Sequence, residues 1–305
     1  MRTEAVTIAT GAGTGPRLSG ELRLPDGAGP GHPVAGIVFS GPLSGVKEQV
    51  TGLYGARLAE AGFATLAFDH RNFGASEGEP RQHEDAAGKL ADLTDATSFL
   101  AGHPAVDPGR LGACGICLGG GYALRFAAFD PRIRALATVA GGYNDPVAMR
   151  AAFGAEAYRA ILAEAAATAA RQHAAGTVEY QLAVSGDEAP ALMGGREPFD
   201  YYGTERSASP GWVNRLSALT LRELLTVDLA VGAEFISPTP WLVVHGRTDA
   251  YCSPEGAQAA FARAGEPKEL VWLDTTNHID LYDVGTYVDP AVEASTAWFH
   301  RWLSA

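Results

Sequence analysis

The stretch Leu111-Gly112-Ala113-Cys114-Gly115-Ile116-Cys117-Leu118-Gly119-Gly120-Gly121 carries the pattern Gly-x-Cys-x-Gly at a predicted strand-to-helix turn. The run before it is apolar, and the run after it, Leu118–Phe129, is Ala-rich and predicts a helix. A residue at the tip of so sharp a turn needs a strained backbone, so its neighbours two positions away, Gly115 and Gly119, must be small. The turn places the Cys117 thiol at a helix N-terminus, where the helix dipole stabilises a thiolate. The pattern therefore predicts that Cys117 is a nucleophile; the alternative is a buried structural cysteine.

Strands and helices alternate on both sides of this turn. The sequence predicts an N-terminal hairpin (5–10 and 17–24), then strands at 33–40, 63–68, 110–115, 133–139, 241–245 and 269–273, and helices at 50–61, 84–102, 118–129, 255–264 and 290–303. Apolar strands that alternate with helices are typical of an α/β fold with a doubly wound, mostly parallel sheet. We therefore expect that fold class.

The alternation stops between residues 146 and 238. This stretch begins with an Ala-rich run that predicts one long helix at 147–174. A long excursion inside a sheet domain is a common place for a cap over an active site. We therefore predict an α/β core formed by residues 1–145 and 239–305 and a helical cap formed by residues 146–238. The alternative is a second helical domain that takes no part in the site.

Aromatic residues in the predicted cap are candidates for substrate binding. Tyr201, Tyr202 and Trp212 lie in its second half and could line an apolar pocket. The alternative is that these side chains only attach the cap to the main domain.

A catalytic acid and base are expected after late strands, because ligand sites in open α/β sheets lie at the carboxyl ends of the strands. Asp249 follows the strand at 241–245, and His278 follows the strand at 269–273. The order nucleophile, acid, histidine matches that of a hydrolase triad. His278 would take the thiol proton, and Asp249 would fix the imidazole tautomer. Asp274 and Asp280 flank His278 and are rival acids.

Two backbone N–H groups are candidate donors to an oxyanion. Leu118 follows the predicted nucleophile, which places its N–H beside the reacting carbonyl. The second donor should come from the loop 41–45, where Pro42 lacks an N–H, so Leu43 is the candidate. The alternative is that this loop is an ordinary Gly/Pro turn.

Composition excludes several kinds of partner and cofactor. The formal net charge of −12 and the absence of a basic run argue against nucleic-acid and membrane partners. The first residues lack the apolar segment of a signal peptide, and three cysteines are too few for a disulfide framework, so we expect a cytoplasmic protein. The histidines do not cluster with the cysteines at zinc spacing, and no dinucleotide glycine fingerprint follows a strand. We therefore expect no metal and no cofactor, and the sequence leaves a homo-oligomer open.

Together these residues resemble the α/β-hydrolase superfamily over nearly the whole chain, and within it the dienelactone hydrolase group, which has a Cys-Asp-His triad at a Gly-x-Cys-x-Gly turn. The stretches 45–49, 69–80 and 277–283 are similar to bacterial relatives of that group. The resemblance implies an α/β-hydrolase fold with Cys117, Asp249 and His278 as the triad. Dienelactone hydrolases lack a long cap and have a glutamate in the oxyanion loop. The nearest candidate here is Glu48. The alternative is that this glutamate only belongs to the start of a helix, where a negative charge is favourable.

The combined features predict a hydrolase that cleaves a small-molecule ester, lactone or thioester through a cysteine acyl-enzyme. Three alternatives remain open at this point. The same acyl-enzyme could serve acyl transfer or cyclisation, the fold could bind a ligand without turnover, or Cys114 and Cys117 could form a redox pair.

Overall fold

The computed structural model describes residues 1–187 and 189–304. Its strands are β1 (Arg2–Ile8), β2 (Leu18–Leu24), β3 (Val34–Ser40), β4 (Ala64–Phe68), β5 (Val106–Ile116), β6 (Ile133–Val139), β7 (Tyr180–Val184), β8 (Ala191–Met193), β9 (Leu216–Ser217), β10 (Trp241–Gly246) and β11 (Lys268–Leu273). Its α-helices are α1 (Val50–Glu60), α2 (Ala86–Ala101), α3 (Leu118–Phe129), α4 (Pro146–Phe153), α5 (Ala155–Ala175), α6 (Arg196–Tyr202), α7 (Thr220–Thr226), α8 (Gly232–Phe235), α9 (Pro254–Arg263), α10 (Asp280–Asp283) and α11 (Gly285–Trp302).

The main sheet has eight strands in the order β1-β2-β4-β3-β5-β6-β10-β11. The strands from β4 to β11 in this order pair in parallel, whereas β1 and β2 are antiparallel. Apolar clusters lie on both faces, with Leu66, Leu124 and Leu136 in one and Ile37 and Phe299 in the other. A sheet covered on both faces needs strands that are apolar throughout, which the sequence of β3 supplies. The predicted doubly wound, mostly parallel α/β fold is confirmed.

Two predicted helices have different bounds in the structure. The helix predicted at 147–174 is divided into α4 and α5 at Gly154, which has a φ of 79° that few residues other than glycine adopt. The sequence pattern predicts that the last helix begins at Pro290. It begins instead at Gly285 and includes Pro290, which shows that the packed helix tolerates the loss of one backbone hydrogen bond.

The chain between β6 and β10 forms a unit that we call the inserted segment, residues 146–238. It contains α4 to α8 and also a small sheet in the order β8-β7-β9, which the sequence did not predict. Its contacts with the loops that follow β10 and β11 include a hydrogen bond from the Ile279 N–H to Glu197 Oε1 (2.8 Å) and one from the Tyr251 hydroxyl to the Gly194 carbonyl (2.7 Å). The division of the chain into a core and a cap stays a prediction.

Across the described residues, no helix combines the length and the hydrophobicity that crossing a bilayer requires.

The contact of α3 with β3 and β5 leaves no room for side chains at two positions. A Cβ atom on Gly119 would lie 2.2 Å from the Ser40 carbonyl oxygen, and one on Gly115 would lie 2.4 Å from the Gly119 carbonyl oxygen. These distances are far shorter than any van der Waals contact, so both positions require glycine. The close approach brings the first turn of α3 directly against the end of β3.

We predict that Gly119→Ala destabilises the protein by about 1–3 kcal/mol or more, the usual cost of overpacking a tight contact. The Ser40 and Gly41 backbones that the new methyl group would meet belong to the packed end of β3 and cannot move freely. The free energy of unfolding in urea measures the effect. Gly31→Ala is the matched control, because a Cβ there meets no atom within 4 Å, and it should change stability by less than about 0.5 kcal/mol. Equal stability of the two variants would show that α3 can shift away from β3.

Candidate active site

Cys117 lies between β5 and α3 with a φ of 56° and a ψ of −131°, a strained backbone conformation for a residue with a side chain. Three backbone hydrogen bonds hold it there. The Cys117 N–H donates to the Val139 carbonyl (3.0 Å), and the Cys117 carbonyl accepts from the N–H groups of Gly120 and Gly142 (both 2.8 Å). The turn therefore has the geometry that the Gly-x-Cys-x-Gly pattern predicts.

The structure brings His278 and Asp249 to this turn. A carboxylate can only accept, so His278 Nδ1 donates to Asp249 Oδ2, at 2.6 Å. The other carboxylate oxygen accepts from the N–H groups of Tyr251 (2.9 Å) and Cys252 (2.7 Å). These bonds fix the acid, and the acid fixes the imidazole with its Nε2 directed away from Asp249.

The rival acids have other partners. Asp274 has a side chain that is 92% exposed and pairs with Arg247 (3.1 Å). Asp280 accepts hydrogen bonds from the Thr276 N–H (2.7 Å) and the Thr276 hydroxyl (2.9 Å), which stabilises the loop that carries His278. Asp249 is therefore the carboxylate that orients the imidazole.

Two further side chains contact Cys117 and His278, and the sequence predicted a role for neither of them. The Cys252 thiol donates to the Cys117 sulfur at 3.8 Å, and the Tyr282 hydroxyl lies 3.1 Å from His278 Nε2. A weak signal existed for each: Cys252 comes three residues after Asp249, and Tyr282 comes four residues after His278. The sequence does not show which way these side chains point.

The charges of the site favour a thiolate on Cys117. The hydrogen bond from Cys252 is the largest cause that lowers the pKa of Cys117 well below the ordinary thiol value; burial opposes it, and the charge of His278 assists it. Burial also disfavours a charged His278, but the negative charge of Cys117 and the hydrogen bond to Asp249 raise the pKa of His278 to about 10. These shifts favour a thiolate–imidazolium pair in the resting site.

Cys114 has a different environment. It is fully buried in β5, and burial raises the pKa of its thiol to about 12. The sulfur that lies beside Cys117 belongs to Cys252 and not to Cys114. This arrangement favours a packing role for Cys114 over the redox pair.

The predicted oxyanion donors lie beside Cys117. Leu118 is the first residue of α3, so its N–H has no acceptor within the helix. Leu43 lies in the loop after β3 and lines the same cavity as Cys117 and Leu118. Lys47 holds this loop, since its N–H donates to Asp69 Oδ1 (2.8 Å) and its ammonium donates to Asp69 Oδ2 (2.9 Å).

Glu48 does not take the place of the oxyanion-loop glutamate of dienelactone hydrolases. Its carboxylate accepts from the Lys47 ammonium (2.6 Å) and from the Ser209 hydroxyl (3.3 Å). Glu48 therefore links the loop after β3 to the inserted segment.

A cavity of about 440 Å³ opens above the Cys117 sulfur. Its floor includes His278 and Cys252, and the inserted segment supplies most of its apolar wall, with Met149, Phe153, Leu192, Leu224 and Leu225. The inserted segment therefore shapes the space that a substrate would enter.

Of the three aromatic residues predicted to bind substrate, Tyr202 lines this cavity. Trp212 stacks behind it, with ring centroids 5.5 Å apart, and donates from its indole N–H to the Ser44 hydroxyl (3.3 Å). Tyr201 is buried between Tyr202 and Tyr282, with centroid distances of 4.8 and 5.0 Å. Tyr201 and Trp212 therefore support Tyr202, and they also attach the inserted segment to the core.

One group of side chains in the described part of the chain could hold a metal ion. The sulfurs of Cys117 and Cys252 and a ring nitrogen of His278 all lie within 4.8 Å of one another. The three residues are distant in sequence, so no short zinc-binding motif contains them.

Comparison with known proteins identifies related chains. Residues 50–284, more than half of the chain, match the family described as serine aminopeptidase, S33. The uncharacterized protein PA2218 of Pseudomonas aeruginosa is 34% identical over 281 residues, which cover 87% of this chain and 72% of that protein. Its crystal structure superposes with a TM-score of 0.86 over 99% of this chain and 94% of that one.

Several fungal relatives have functional names, and two of them are compared with this chain. Thiohydrolase aneE of Aspergillus aculeatus is 27% identical over 92% of this chain and 88% of its own. Polyketide transferase grgF of a Penicillium species is 30% identical over 72% of this chain and 73% of its own, and the GrgF crystal structure superposes with a TM-score of 0.83. A dienelactone hydrolase from Anabaena variabilis, 16% identical, has a TM-score of 0.57 over 99% of this chain and 98% of that one, which shows likeness of fold alone.

We predict that iodoacetamide alkylates Cys117 with a pH midpoint well below 9.0, the ordinary pKa of a thiol, because a lowered pKa keeps the thiolate present at lower pH. Peptide mapping by mass spectrometry after labelling at a series of pH values measures this midpoint. His278→Ala removes a positive charge and should raise the midpoint. Cys114 serves as the internal control and should stay unlabelled throughout, since the pKa of its thiol is raised to about 12. A midpoint of 9.0 or higher in the unmodified protein would disprove the thiolate.

Proposed function

The chain belongs to the α/β-hydrolase family described as serine aminopeptidase, S33, and on that premise we propose that it hydrolyses an ester, lactone or thioester through an acyl-enzyme on Cys117. The observation that carries this proposal is the arrangement at the cavity floor. There the Cys117 thiol sits on a strained turn beside an imidazole whose Nδ1 donates to Asp249 at 2.6 Å. The family supports an enzyme of the esterase or hydrolase type; the cysteine nucleophile is our inference.

In the first step, the Cys117 thiolate attacks the carbonyl carbon of the substrate. The carbonyl oxygen becomes an oxyanion, which would accept hydrogen bonds from the N–H groups of Leu118 and Leu43. Collapse of this intermediate breaks the bond to the leaving alkoxide or thiolate, and the His278 imidazolium protonates that group. The product of the step is a thioester between the acyl group and Cys117.

In the second step, His278 acts as a base. It removes a proton from water, and the resulting hydroxide attacks the acyl-enzyme. The carboxylic acid leaves, and the Cys117 thiolate is restored beside the imidazolium. Asp249 stabilises the charged imidazole in both steps without taking a proton itself.

The expected substrate has an apolar acyl part and an activated carbonyl. The cavity wall is formed mainly by leucine, methionine and aromatic side chains, which favour apolar groups. A thiolate is also a good leaving group, so it suits thioesters and lactones better than the amide bonds that an aminopeptidase cleaves. The name of the relative aneE, a thiohydrolase, supports a thioester.

A second candidate function is acyl transfer or cyclisation with the same triad. It is favoured by the apolar wall that the inserted segment adds, which would limit the access of water to the acyl-enzyme, and by the relative named polyketide transferase grgF. Product analysis separates the two functions: hydrolysis releases a free acid, whereas transfer joins the acyl group to another nucleophile.

We expect Cys117→Ala to abolish hydrolysis of an N-acetylcysteamine thioester of an apolar fatty acid, since no group remains to form the acyl-enzyme. Cys117→Ser should still bind this thioester but turn it over far more slowly, because the site is arranged for a thiolate. The free acid released, separated from the thioester by liquid chromatography, gives the rates. Undiminished turnover by the alanine variant would exclude Cys117 as the nucleophile.

We expect Asp249→Asn to lower kcat by up to about 10⁴-fold, by analogy with serine triads, because an amide can stabilise the wrong imidazole tautomer. Asp274→Asn is the matched control: it makes the same change on an exposed side chain near His278 and should leave turnover unchanged. Steady-state kinetics of both variants provide the comparison. A large loss for Asp274→Asn and none for Asp249→Asn would reassign the acid.

A further inference from the structure

We propose that Cys117, Cys252 and His278 form a binding site for Zn²⁺ and that a bound Zn²⁺ closes the active site. The two sulfurs and a ring nitrogen of the imidazole all lie within 4.8 Å of one another. Two cysteines and one histidine with an open fourth position are a ligand set that zinc adopts in proteins. The site would therefore be inhibitory, since the ion takes both the nucleophile and the base.

The distance between the sulfurs fits this ion. Tetrahedral Zn²⁺ with Zn–S bonds of about 2.3 Å holds two sulfurs about 3.8 Å apart. The Cys117 and Cys252 sulfurs lie 3.8 Å apart without any ion, so the pair needs no rearrangement to bind one. A nitrogen ligand at about 2.0–2.1 Å would lie about 3.5 Å from each sulfur, and the ring nitrogen lies within 4.8 Å of both sulfurs here.

The surrounding contacts are those of a zinc-binding histidine. His278 Nδ1 donates to Asp249 Oδ2 at 2.6 Å, which leaves Nε2 as the free coordinating atom. Such carboxylate–histidine pairs orient metal ligands and raise their basicity. The same carboxylate also accepts from the Cys252 N–H at 2.7 Å, so one residue positions two of the three ligands.

The cavity provides the fourth position and a favourable charge. All three ligands line the cavity above Cys117, so the ion can be reached from there and can keep a water molecule on that side. Two thiolates and a neutral imidazole balance the charge of Zn²⁺, which makes burial beside apolar side chains inexpensive. The proton on Nε2 of the His278 imidazolium and the proton of each thiol that still carries one are released to solvent on binding.

Binding has two costs, the release of the proton on His278 Nε2 and the loss of one contact. The Tyr282 hydroxyl lies 3.1 Å from His278 Nε2 and must give up that contact when the nitrogen coordinates the ion. A single hydrogen bond contributes little net stability compared with the bonds that Zn²⁺ forms with two thiolates and an imidazole. The site should therefore bind Zn²⁺ despite this contact.

Titration of the unmodified protein with Co²⁺ tests the site directly, because tetrahedral Co²⁺ bound to thiolates absorbs intensely. A phosphine reductant keeps the thiols reduced during the titration. We expect one Co²⁺ per chain with a thiolate charge-transfer band, and displacement of that band by one equivalent of Zn²⁺. Loss of a residue that only supports a metal ligand weakens metal binding by roughly 10- to 100-fold. Cys252→Ala removes a ligand itself and should weaken Co²⁺ binding by more than that. Cys114→Ala also removes one buried thiol, but one that is not part of the cluster, and this variant should bind Co²⁺ as the unmodified protein does.

No charge-transfer band, or equal affinity in Cys252→Ala, would overturn the proposal and leave the two sulfurs with only a hydrogen bond. Circular dichroism checks that Cys252→Ala folds. If it does not, X-ray absorption of the Zn²⁺-loaded unmodified protein replaces it, with two sulfur neighbours at about 2.3 Å expected and fewer than two contradicting the site. The Co²⁺ titration measures metal binding without any substrate. Failure of the zinc site would therefore appear in this titration, whereas failure of the acyl-enzyme proposal would appear in the turnover experiments.

Discussion

Cys117 has a backbone φ of 56°, and the structure around it is arranged to hold a side chain in that strained conformation. Gly115 and Gly119 let α3 begin directly against the end of β3, where any Cβ would collide with backbone. Leu118, at the start of α3, and Leu43, in the loop after β3, line the same cavity as Cys117. The strain is therefore compensated by packing that also assembles the proposed oxyanion site.

The sequence predicted the fold and the order of the site residues because both depend on short-range patterns. Apolar strands and flanking glycines identify the turn at Cys117, and the ends of two late strands locate Asp249 and His278. Cys252 and Tyr282 escaped prediction because their roles depend on side-chain direction within short loops. The break at Gly154 escaped because a single glycine inside an Ala-rich run does not reveal its φ.

The inserted segment would decide which chemistry the proposed triad can serve. It supplies most of the apolar wall above Cys117, and its contacts with Ile279 and Tyr251 attach it to the loops that carry His278 and Asp249. A movement of this segment would therefore alter both the cavity and the position of His278. Of the aromatic residues predicted to touch substrate, Tyr202 reaches the cavity because Trp212 and Tyr201 pack behind it.

The central claim is that Cys117 carries the acyl group, and intact-mass spectrometry after mixing the protein with p-nitrophenyl acetate tests it most directly. The account predicts one acetyl adduct that maps to Cys117, is absent from Cys117→Ala, and disappears as nitrophenol turnover proceeds. An adduct that persists would keep Cys117 as the nucleophile but favour acyl transfer with a missing acceptor. Turnover of the ester without any adduct on Cys117, or with an equal rate in Cys117→Ala, would contradict the account.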